Sequence, residues 1–360
     1  MIYYLFGLHA ILFKFNNLPL CPVNLNAAVL KIKSLSKYFD AYAYGFLVFV
    51  MFLTLSGCKR EDKTASEISK IPVDLEVFRF DREFATATAE QIPALKEKYP
   101  YLFPEQFPDS IWIAKLTDTI QTELSEEVNK AFGDFTKETE DIASLFKHMR
   151  YYFPTFEVPK VVTVTSDVRY NNRIIYTDTL LLLGLDNYLG KDHHFYKGIQ
   201  RYIAKGLDKQ FLTSDITSAL TKKIVQYPRN RSFLSRIVYY GKELYLKDNI
   251  LPTISDAQKI GYTPEEIAWS KANEEQIWRY FVERELLYST DAKLDRRFLD
   301  TAPFSKFQLE LDSESPGRVG RYIGWQIVRA FMERNDVSLQ QLLSLPADEI
   351  FKKSNYKPRK

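Results

Sequence analysis

Cysteine and histidine are both scarce in this chain, and their positions restrict the chemistry available to it. The two cysteines, Cys21 and Cys58, lie in the first sixth of the 360-residue sequence, and only four histidines occur. From residue 73 onwards the chain offers neither a disulfide nor a thiolate zinc site. Cysteine nucleophiles and structural zinc of the thiolate type are excluded for that part of the chain.

Signatures of the common hydrolytic and nucleotide-binding sites are also missing. The chain contains no G-x-S-x-G, no Walker loop, no G-x-G-x-x-G and no H-E-x-x-H. His193 and His194 are adjacent, so on a helix they would point about 100° apart, unlike the i, i+4 histidines of a zinc helix. His148 fits the edge of a helical core better than a metal ligand. We expect no metal and no other cofactor.

Neither sign of charge dominates the sequence. Lysine and arginine total 49 against 46 aspartate and glutamate, which gives a net charge of +3 without a long block of either sign. A nucleic-acid face needs clustered basic residues, so we expect no nucleic-acid partner. Carboxylate pairs such as Glu274-Glu275 and Asp312 with Glu314 are expected on solvated faces. The apolar fraction of 46% is enough for a substantial core.

The segment before Cys58 has the three parts of a secretion signal. Lys31, Lys33 and Lys37 supply the positive region, and the uncharged run Ala41–Leu55 supplies the apolar one. Leu55-Ser56-Gly57-Cys58 follows directly and resembles the lipobox of bacterial lipoproteins, in which the cysteine is lipidated and becomes the new N-terminus. The alternative is an uncleaved anchor helix over 41–57, which is short against the ~20 residues that a bilayer span needs.

This segment predicts the organisation of the whole chain. Residues 1–57 form the signal region, of which 1–30 are expected to be upstream sequence before a true start near Lys31. Residues 58–72 are the lipidated cysteine and a polar tether, and 73–360 are a single soluble domain. Both the lipoprotein and the anchor alternatives place that domain outside the cytoplasm, facing the periplasm. Attachment to the inner membrane and attachment to the outer membrane are both compatible with the sequence. Several acyl chains on Cys58 would make attachment effectively permanent.

The first half of the domain is predicted to contain strands and two amphipathic helices. Val73–Phe80 nearly alternates and predicts a strand, after which Asp81 would cap a helix. Apolar residues at three- and four-residue steps predict helices over 113–132 and 142–149.

A hairpin and a buried strand are expected next. The β-branched run Val158–Thr165 and the returning strand Ile174–Tyr176 are separated by Asn171-Asn172, which can form a tight turn. The apolar run Leu180–Leu185 predicts a buried strand.

The second half is predicted to be helical. Proline breaks and apolar periodicity indicate helices over Phe195–Lys205, Thr213–Val225, Ser232–Leu246, Pro264–Tyr288, Pro316–Arg334 and Leu339–Ser354. The fold class is therefore α+β, with a small N-terminal sheet or hairpin and a predominantly helical C-terminal part.

A glycine-rich helix in the last third combines small and cationic residues. Gly317, Gly320 and Gly324 would let a helix approach its neighbour closely, and they are interleaved with Arg318 and Arg321. Close packing is the favoured interpretation, and anion binding by the arginines is the alternative.

Four long stretches carry a resemblance to a known family. They are YLGKDHHFY (188–196), VYYGKELYLKD (238–248), ANEEQIWRYFVERELLYSTD (272–291) and ESPGRVGRYIGWQIVRAF (314–331). Together with the lipobox they resemble the GldB family of gliding motility lipoproteins of Bacteroidetes, from about Cys58 to the C-terminus. The resemblance implies a cell-envelope lipoprotein needed for gliding, in bacteria whose motility machinery is tied to type IX secretion. It supplies no biochemical mechanism.

A second, weaker similarity is to predicted zinc peptidases with a sheet followed by helices, an H-E-x-x-H helix and a downstream glutamate ligand. The corresponding helix here is SDITSA (214–219), where Asp215 and Ala219 take the ligand positions and Glu243 stands for the downstream ligand. One or two carboxylates cannot hold catalytic zinc, which needs three protein ligands and a water. The similarity therefore implies a degenerate, peptidase-like site in a pseudoenzyme.

We thus expect a non-enzymatic component that is attached to the membrane by its N-terminal lipid and docks on proteins of the gliding or secretion machinery. Exposed tyrosines and arginines at helix ends are the expected anchors. The competing classes are a metallopeptidase-like hydrolase of the envelope, active or degenerate, and a small-molecule-binding lipoprotein with an aromatic-lined pocket.

Overall fold

A computed structural model describes residues 63–310 and 312–359. The chain forms a four-stranded sheet in its first half and helices throughout. The strands are β1 (Val77–Phe78), β2 (Lys160–Val164), β3 (Ile174–Tyr176) and β4 (Leu180–Gly184). The helices of the first half are α1 (Lys63–Ser69), α2 (Phe80–Ala85), α3 (Ile92–Lys98), α4 (Asp109–Leu116), α5 (Thr119–Phe132) and α6 (Thr136–Tyr152). Those of the second half are α7 (Arg201–Ala204), α8 (Leu212–Ile224), α9 (Phe233–Ile250), α10 (Asp256–Ile260), α11 (Pro264–Ala272), α12 (Glu274–Glu283), α13 (Lys293–Phe298), α14 (Val319–Arg334), α15 (Leu339–Ser344) and α16 (Ala347–Ser354). The fold is α+β, as the sequence predicts.

The sheet has the order β1-β2-β4-β3, with β1, β2 and β4 parallel and β3 antiparallel at one edge. The predicted hairpin is wrong in its partners, because β2 pairs with β1 and β4 and not with β3. The hairpin is β3 with β4, and Asn171-Asn172 lies in a short 3₁₀ turn before it. The apolar run that begins at Leu180 takes the interior position beside β2, since both of its faces are covered, and this leaves the more exposed β3 at the edge.

Helices from the first half cover one face of the sheet. Phe84, Ile92, Tyr99 and Phe103 form an apolar cluster with Val162 of β2. The expected strand at Val73–Phe80 shortens to β1. Asp81 is not a cap, as the sequence had suggested: it lies inside α2, buried, and it pairs with the guanidinium of Arg79 and accepts a hydrogen bond from Thr163.

The second half is built around the crossing of α9 and α14. A Cβ on Gly241 would lie 2.2 Å from the carbonyl oxygen of Gly324, and one on Gly324 would lie 1.8 Å from that of Ile237. The two backbones therefore touch, which only glycine allows. Trp325, Ile323 and other fully buried side chains of α14 surround this contact, so close packing by the glycine-rich helix is confirmed.

Most predicted helices of the second half are present with shifted ends. Pro264–Tyr288 and Leu339–Ser354 each divide into two helices, and Phe195–Lys205 shrinks to the single turn α7. Glu274 was expected on a solvated face, but it is buried at the start of α12, where it accepts hydrogen bonds from Tyr322 and Tyr356. Within the described residues, no helix has both the length and the apolar character to cross a bilayer.

Candidate functional site

A polar cavity of about 130 Å³ lies among α7, α8, α9, the C-terminal end of α10 and the start of α14. Its lining carries two carboxylates, Asp215 and Glu243, and an excess of cationic side chains. The cationic residues are Arg173, Lys205, Lys247, Lys259, Arg318 and Arg321. Hydroxyl groups of tyrosine, serine and threonine complete the polar lining.

Asp215, on the first turn of α8, is held by two partners from the sheet side of the cavity. Arg173 donates from Nε to its Oδ2 at 2.7 Å, and the Tyr188 hydroxyl donates to the same oxygen at 2.9 Å. The Tyr188 ring is 1% exposed, and burial together with the negative charge of Asp215 raises the pKa of its hydroxyl well above the ordinary value. Tyr188 therefore remains protonated and keeps its hydrogen bond to Asp215.

Glu243 on α9 faces Ser218 on α8. The Ser218 hydroxyl donates to Glu243 Oε1 at 2.8 Å, and the ammonium of Lys247, one turn along α9, lies 3.9 Å from the same oxygen. Lys247 donates to Ser214 Oγ at 3.0 Å and to the carbonyl of Lys259 at 2.9 Å. Burial lowers the pKa of Lys247, although the charges of Glu243 and Asp215 oppose that shift. This side chain is buried, and its hydrogen bonds to Ser214 and Lys259 hold it inside the protein.

Arg318 enters the cavity from the residue that precedes α14. Its backbone has φ of 66°, a left-handed conformation that is uncommon for residues other than glycine. Nη2 donates to the carbonyl of Gly261 at 2.8 Å, and the guanidinium lies 5.4 Å from the centre of the Tyr262 ring. Gly261 itself has φ of 72°, and a Cβ there would come within 3.4 Å of Arg318 Nη2. Glycine at 261 thus both ends α10 and leaves room for the guanidinium.

Arg321 lies on the first turn of α14, beside Arg318. Its Nε donates to the carbonyl of Leu299 at 2.6 Å, and its guanidinium stacks 3.8 Å from the centre of the Tyr240 ring on α9. A stacked guanidinium keeps its plane fixed while its edge remains free to donate.

The cations of the cavity differ in whether a carboxylate neutralises them. Arg173 pairs with Asp215, Lys205 with Glu266, Lys259 with Asp248, and Lys247 more distantly with Glu243. Across 63–310 and 312–359, no carboxylate oxygen lies within 4 Å of Arg318 or Arg321. Burial and then the neighbouring charge of Arg321 lower the pKa of Arg318. The cavity thus holds two arginines whose charge its own carboxylates do not balance.

The structure brings together two of the three positions that the peptidase resemblance singled out. Asp215 and Glu243 both line the cavity, whereas Ala219 does not; Ser218 lines it instead. The resemblance itself stays a prediction. Cys58 and the lipobox residues Leu55, Ser56 and Gly57 lie outside the described residues.

Sequence reasoning missed the cationic side of this site. Arg173, Lys247 and Lys259 come from separate segments without a local motif, and no spacing rule would have joined them. Arg318 and Arg321 were singled out with their glycines, but packing was preferred over anion binding. Gly324 packs on α9 while Arg318 and Arg321 line the cavity, so close packing is confirmed and anion binding stays a prediction.

The histidines take part in ordinary polar contacts. His193 and His194 lie against α5, where their Nε2 atoms are 3.1 Å from Glu127 and 2.9 Å from Glu123. His148 bonds through Nδ1 to the carbonyl of Ser144 within its own helix, α6. In the described part of the chain, no group of three or more histidine, cysteine, aspartate and glutamate side chains is arranged to hold a metal ion.

A second feature is a surface on which tyrosines and arginines project from two helix ends. Tyr227, beyond the end of α8, is 58% exposed, and Tyr288, beyond the end of α12, is 62% exposed. The start of α9 contacts the segment of Tyr288, where the Phe233 amide donates to the carbonyl of Ser289 at 2.9 Å, and the Tyr227 ring packs on Tyr239 of the same helix. The exposed arginines of these segments are Arg229, Arg231 and Arg284. We call these three arginines and the two tyrosines the tyrosine-arginine surface.

Comparison with known proteins gives one match. The family model described as gliding motility protein GldB matches residues 61–358. Searches of curated proteins and of solved structures gave no match. The matched range contains the whole cavity and the whole tyrosine-arginine surface.

Proposed function

Because the chain belongs to the GldB family of gliding motility proteins, we propose that it is a lipid-anchored, non-enzymatic component that docks on protein partners of the gliding apparatus. Membership implies involvement in gliding motility. The proposal adds three points to that role: attachment through Cys58, a position at a membrane facing the periplasm, and docking in place of catalysis. The partners would belong to the gliding and type IX secretion machinery.

The carboxylates that would correspond to a peptidase centre support a non-enzymatic role. Asp215 is engaged by Arg173 and Tyr188, and Glu243 is engaged by Ser218. Six cationic side chains line the same cavity. Positive charges at this density oppose the entry of a divalent cation, since like charges at close range in a low-dielectric site repel strongly.

The tyrosine-arginine surface supports docking. Tyrosine and arginine are enriched at the energetic centres of protein interfaces, since tyrosine buries a large rigid ring and arginine donates several hydrogen bonds. Tyr227 and Tyr288 are exposed although each is large enough to contribute substantially to a core. Their exposure, together with the exposed arginines of the same two segments, is the observation that carries the docking proposal.

The lipid attachment is tested by gene deletion and complementation in the native bacterium. We expect the deletion to abolish colony spreading and single-cell gliding, and the wild-type gene to restore both. A Cys58→Ala gene should restore neither, although its product accumulates. Full rescue by Cys58→Ala would contradict the lipid anchor, and normal gliding in the deletion strain would contradict an essential role in motility.

Docking is tested in the same strain with the double variant Tyr227→Ala/Tyr288→Ala. Truncation of interface anchors costs about 2 kcal/mol or more, which is a roughly thirtyfold loss of affinity, so gliding should fail at normal protein level. Ile120→Ala, which removes a side chain that is 64% exposed on α5, is the matched control and should glide normally. Normal gliding of the double variant would show that docking does not use this surface.

The competing hydrolase is tested on the purified full chain. Stoichiometric zinc together with peptide cleavage that is lost in Glu243→Gln would replace the docking proposal by a peptidase. We expect neither.

A further inference from the structure

The cavity has the composition of an anion site. Its size, about 130 Å³, is well below the roughly 300–1,000 Å³ of pockets that take drug-sized ligands. It would hold a few water molecules or one small polyatomic ion. Because the lining is cationic, an anion is favoured over a cation as the bound ion.

Arg318 and Arg321 supply the donors for that anion. Arg318 uses Nη2 on the carbonyl of Gly261, and Arg321 uses Nε on the carbonyl of Leu299. Each guanidinium carries five N–H groups, so most of the donors of both residues are left for another acceptor. Among the described residues, none of the other guanidinium nitrogens of this pair is buried without a partner, which means that these nitrogens are accessible from the cavity or from solvent.

The two guanidinium groups are held in place before any ligand arrives. Arg321 is stacked on Tyr240 and Arg318 lies over Tyr262, and each is fixed by one hydrogen bond to a backbone carbonyl. A preorganised donor loses little conformational entropy when it binds. Little of the binding free energy is therefore offset by the cost of ordering the site.

The carboxylates of the cavity do not cancel this preference. Asp215 is neutralised by Arg173, and Glu243 accepts from Ser218 and lies near Lys247. Lys247, which also lines the cavity and lies 3.9 Å from Glu243, adds positive potential. A group with several anionic oxygens suits two guanidiniums better than a single carboxylate does, because each guanidinium can bind two oxygens side by side.

We propose that this cavity binds a phosphate group, with Arg318 and Arg321 as its ligands and the buried Lys247 as a source of positive potential. The phosphate comes either as the free ion or as the end of a phosphomonoester. This inference goes beyond the motility role and does not depend on the docking surface.

The test is calorimetric titration of the full chain, purified in detergent, with inorganic phosphate and with glycerol 3-phosphate at constant ionic strength. Acetate and chloride serve as control anions, since general screening would act equally through all four. We expect one site per chain for at least one of the two phosphates, with an affinity at least about tenfold above that for acetate. Preference for inorganic phosphate identifies the free ion, and preference for glycerol 3-phosphate identifies an ester. Equal weak effects of all four anions would overturn the proposal.

Variants assign the site to the two arginines. Arg321→Gln should weaken phosphate binding by about tenfold or more, because a hydrogen bond to a charged group contributes about 1.5–3 kcal/mol. Arg321→Lys keeps the charge and should retain part of the affinity. Arg296→Gln, an exposed arginine on α13, is the matched control and should bind like the wild type. Unchanged affinity in both Arg318→Gln and Arg321→Gln would overturn the assignment. If Arg318→Gln fails to fold, the Arg321 variants still decide.

Discussion

Helices α9 and α14 meet in two very different ways. At Gly241 and Gly324 their backbones touch with no side chain between them, whereas Tyr240 and Glu243 of α9 and Arg321 of α14 line a polar, cation-rich cavity. The glycine contact is surrounded by buried apolar side chains of α14. The cavity keeps charged groups whose desolvation is only partly offset by partners. One pair of helices thus carries both a backbone contact that only glycine allows and part of the lining of a cation-rich cavity.

The contrast suggests that the glycine crossing stabilises the arrangement that the cavity needs. A shift of α14 against α9 would move Arg321 away from Tyr240, because both residues lie on the same two helices as the glycine contact. The cavity side chains can be altered without touching the crossing, whereas a change at the crossing should disturb the cavity as well. The following changes test the two regions separately.

Gly324→Ala should have the largest effect. A Cβ there would lie 1.8 Å from the Ile237 carbonyl oxygen, and a backbone atom cannot move aside as a side-chain end can. Overpacking of this kind costs about 3 kcal/mol or more, so we expect a large drop in the free energy of unfolding by urea, or failure to fold. Gly206→Ala, whose Cβ would come no closer than 3.4 Å to the Ile203 carbonyl, is the matched control. Equal stability of the two variants would mean that the helices do not touch as described.

Lys242, next to Gly241, should make stability depend on pH. It donates to the carbonyls of Leu343 and Leu345 at 3.0 and 2.7 Å, and burial lowers its pKa to about 8. The unfolded lysine titrates near ~10.4. Between these two pKa values the unfolded state binds more protons than the folded state. The free energy of unfolding should therefore rise with pH over this range, by up to about 3 kcal/mol.

The contribution of Lys242 is isolated by comparing the wild type with Lys242→Met. Tyrosines with raised pKa values, such as Tyr239, titrate in both proteins and cancel in the difference. The stability difference between the two proteins should change by up to about 3 kcal/mol from pH 8 to pH 10.4. A difference that stays constant over this range would show that Lys242 is charged in the fold at neutral and mildly alkaline pH alike.

These tests also separate what the sequence could predict from what it could not. The glycine spacing at 317, 320 and 324 and the apolar periodicity predict a helix that packs closely, since both patterns are local. The run beginning at Leu180 predicts a buried strand for the same reason. The pairing of β3 with β4 was missed because pairing depends on which strands need burial on both faces. The cationic side of the cavity was missed because Arg173 and Lys259 reach it from distant parts of the chain.

The smallest effect is expected for Arg321→Met, and its contrast with Arg329→Met sharpens the comparison. Both arginines lie on α14, but Arg329 pairs with Asp248 at 2.7 Å and with Asp256 at 2.9 Å. Because of these contacts with Arg329, the pKa of Asp256 falls to about 2 even though burial opposes the shift. Arg329→Met leaves two half-buried carboxylates without that partner, so we expect a loss of roughly 2–3 kcal/mol.

Arg321→Met removes a cation that has no carboxylate oxygen within 4 Å among the described residues. The lost hydrogen bond to Leu299 and the lost stacking on Tyr240 are offset by relief of the repulsion with Arg318, so the free energy of unfolding should change by less than about 1 kcal/mol. Urea unfolding at pH 7 in buffer without phosphate measures both variants. If Arg321→Met lowers the free energy of unfolding as much as Arg329→Met, Arg321 is a structural residue. Its charge is then balanced by groups other than the carboxylates that line the cavity. If it costs little and phosphate stabilises only the wild type, its positive charge serves binding rather than folding.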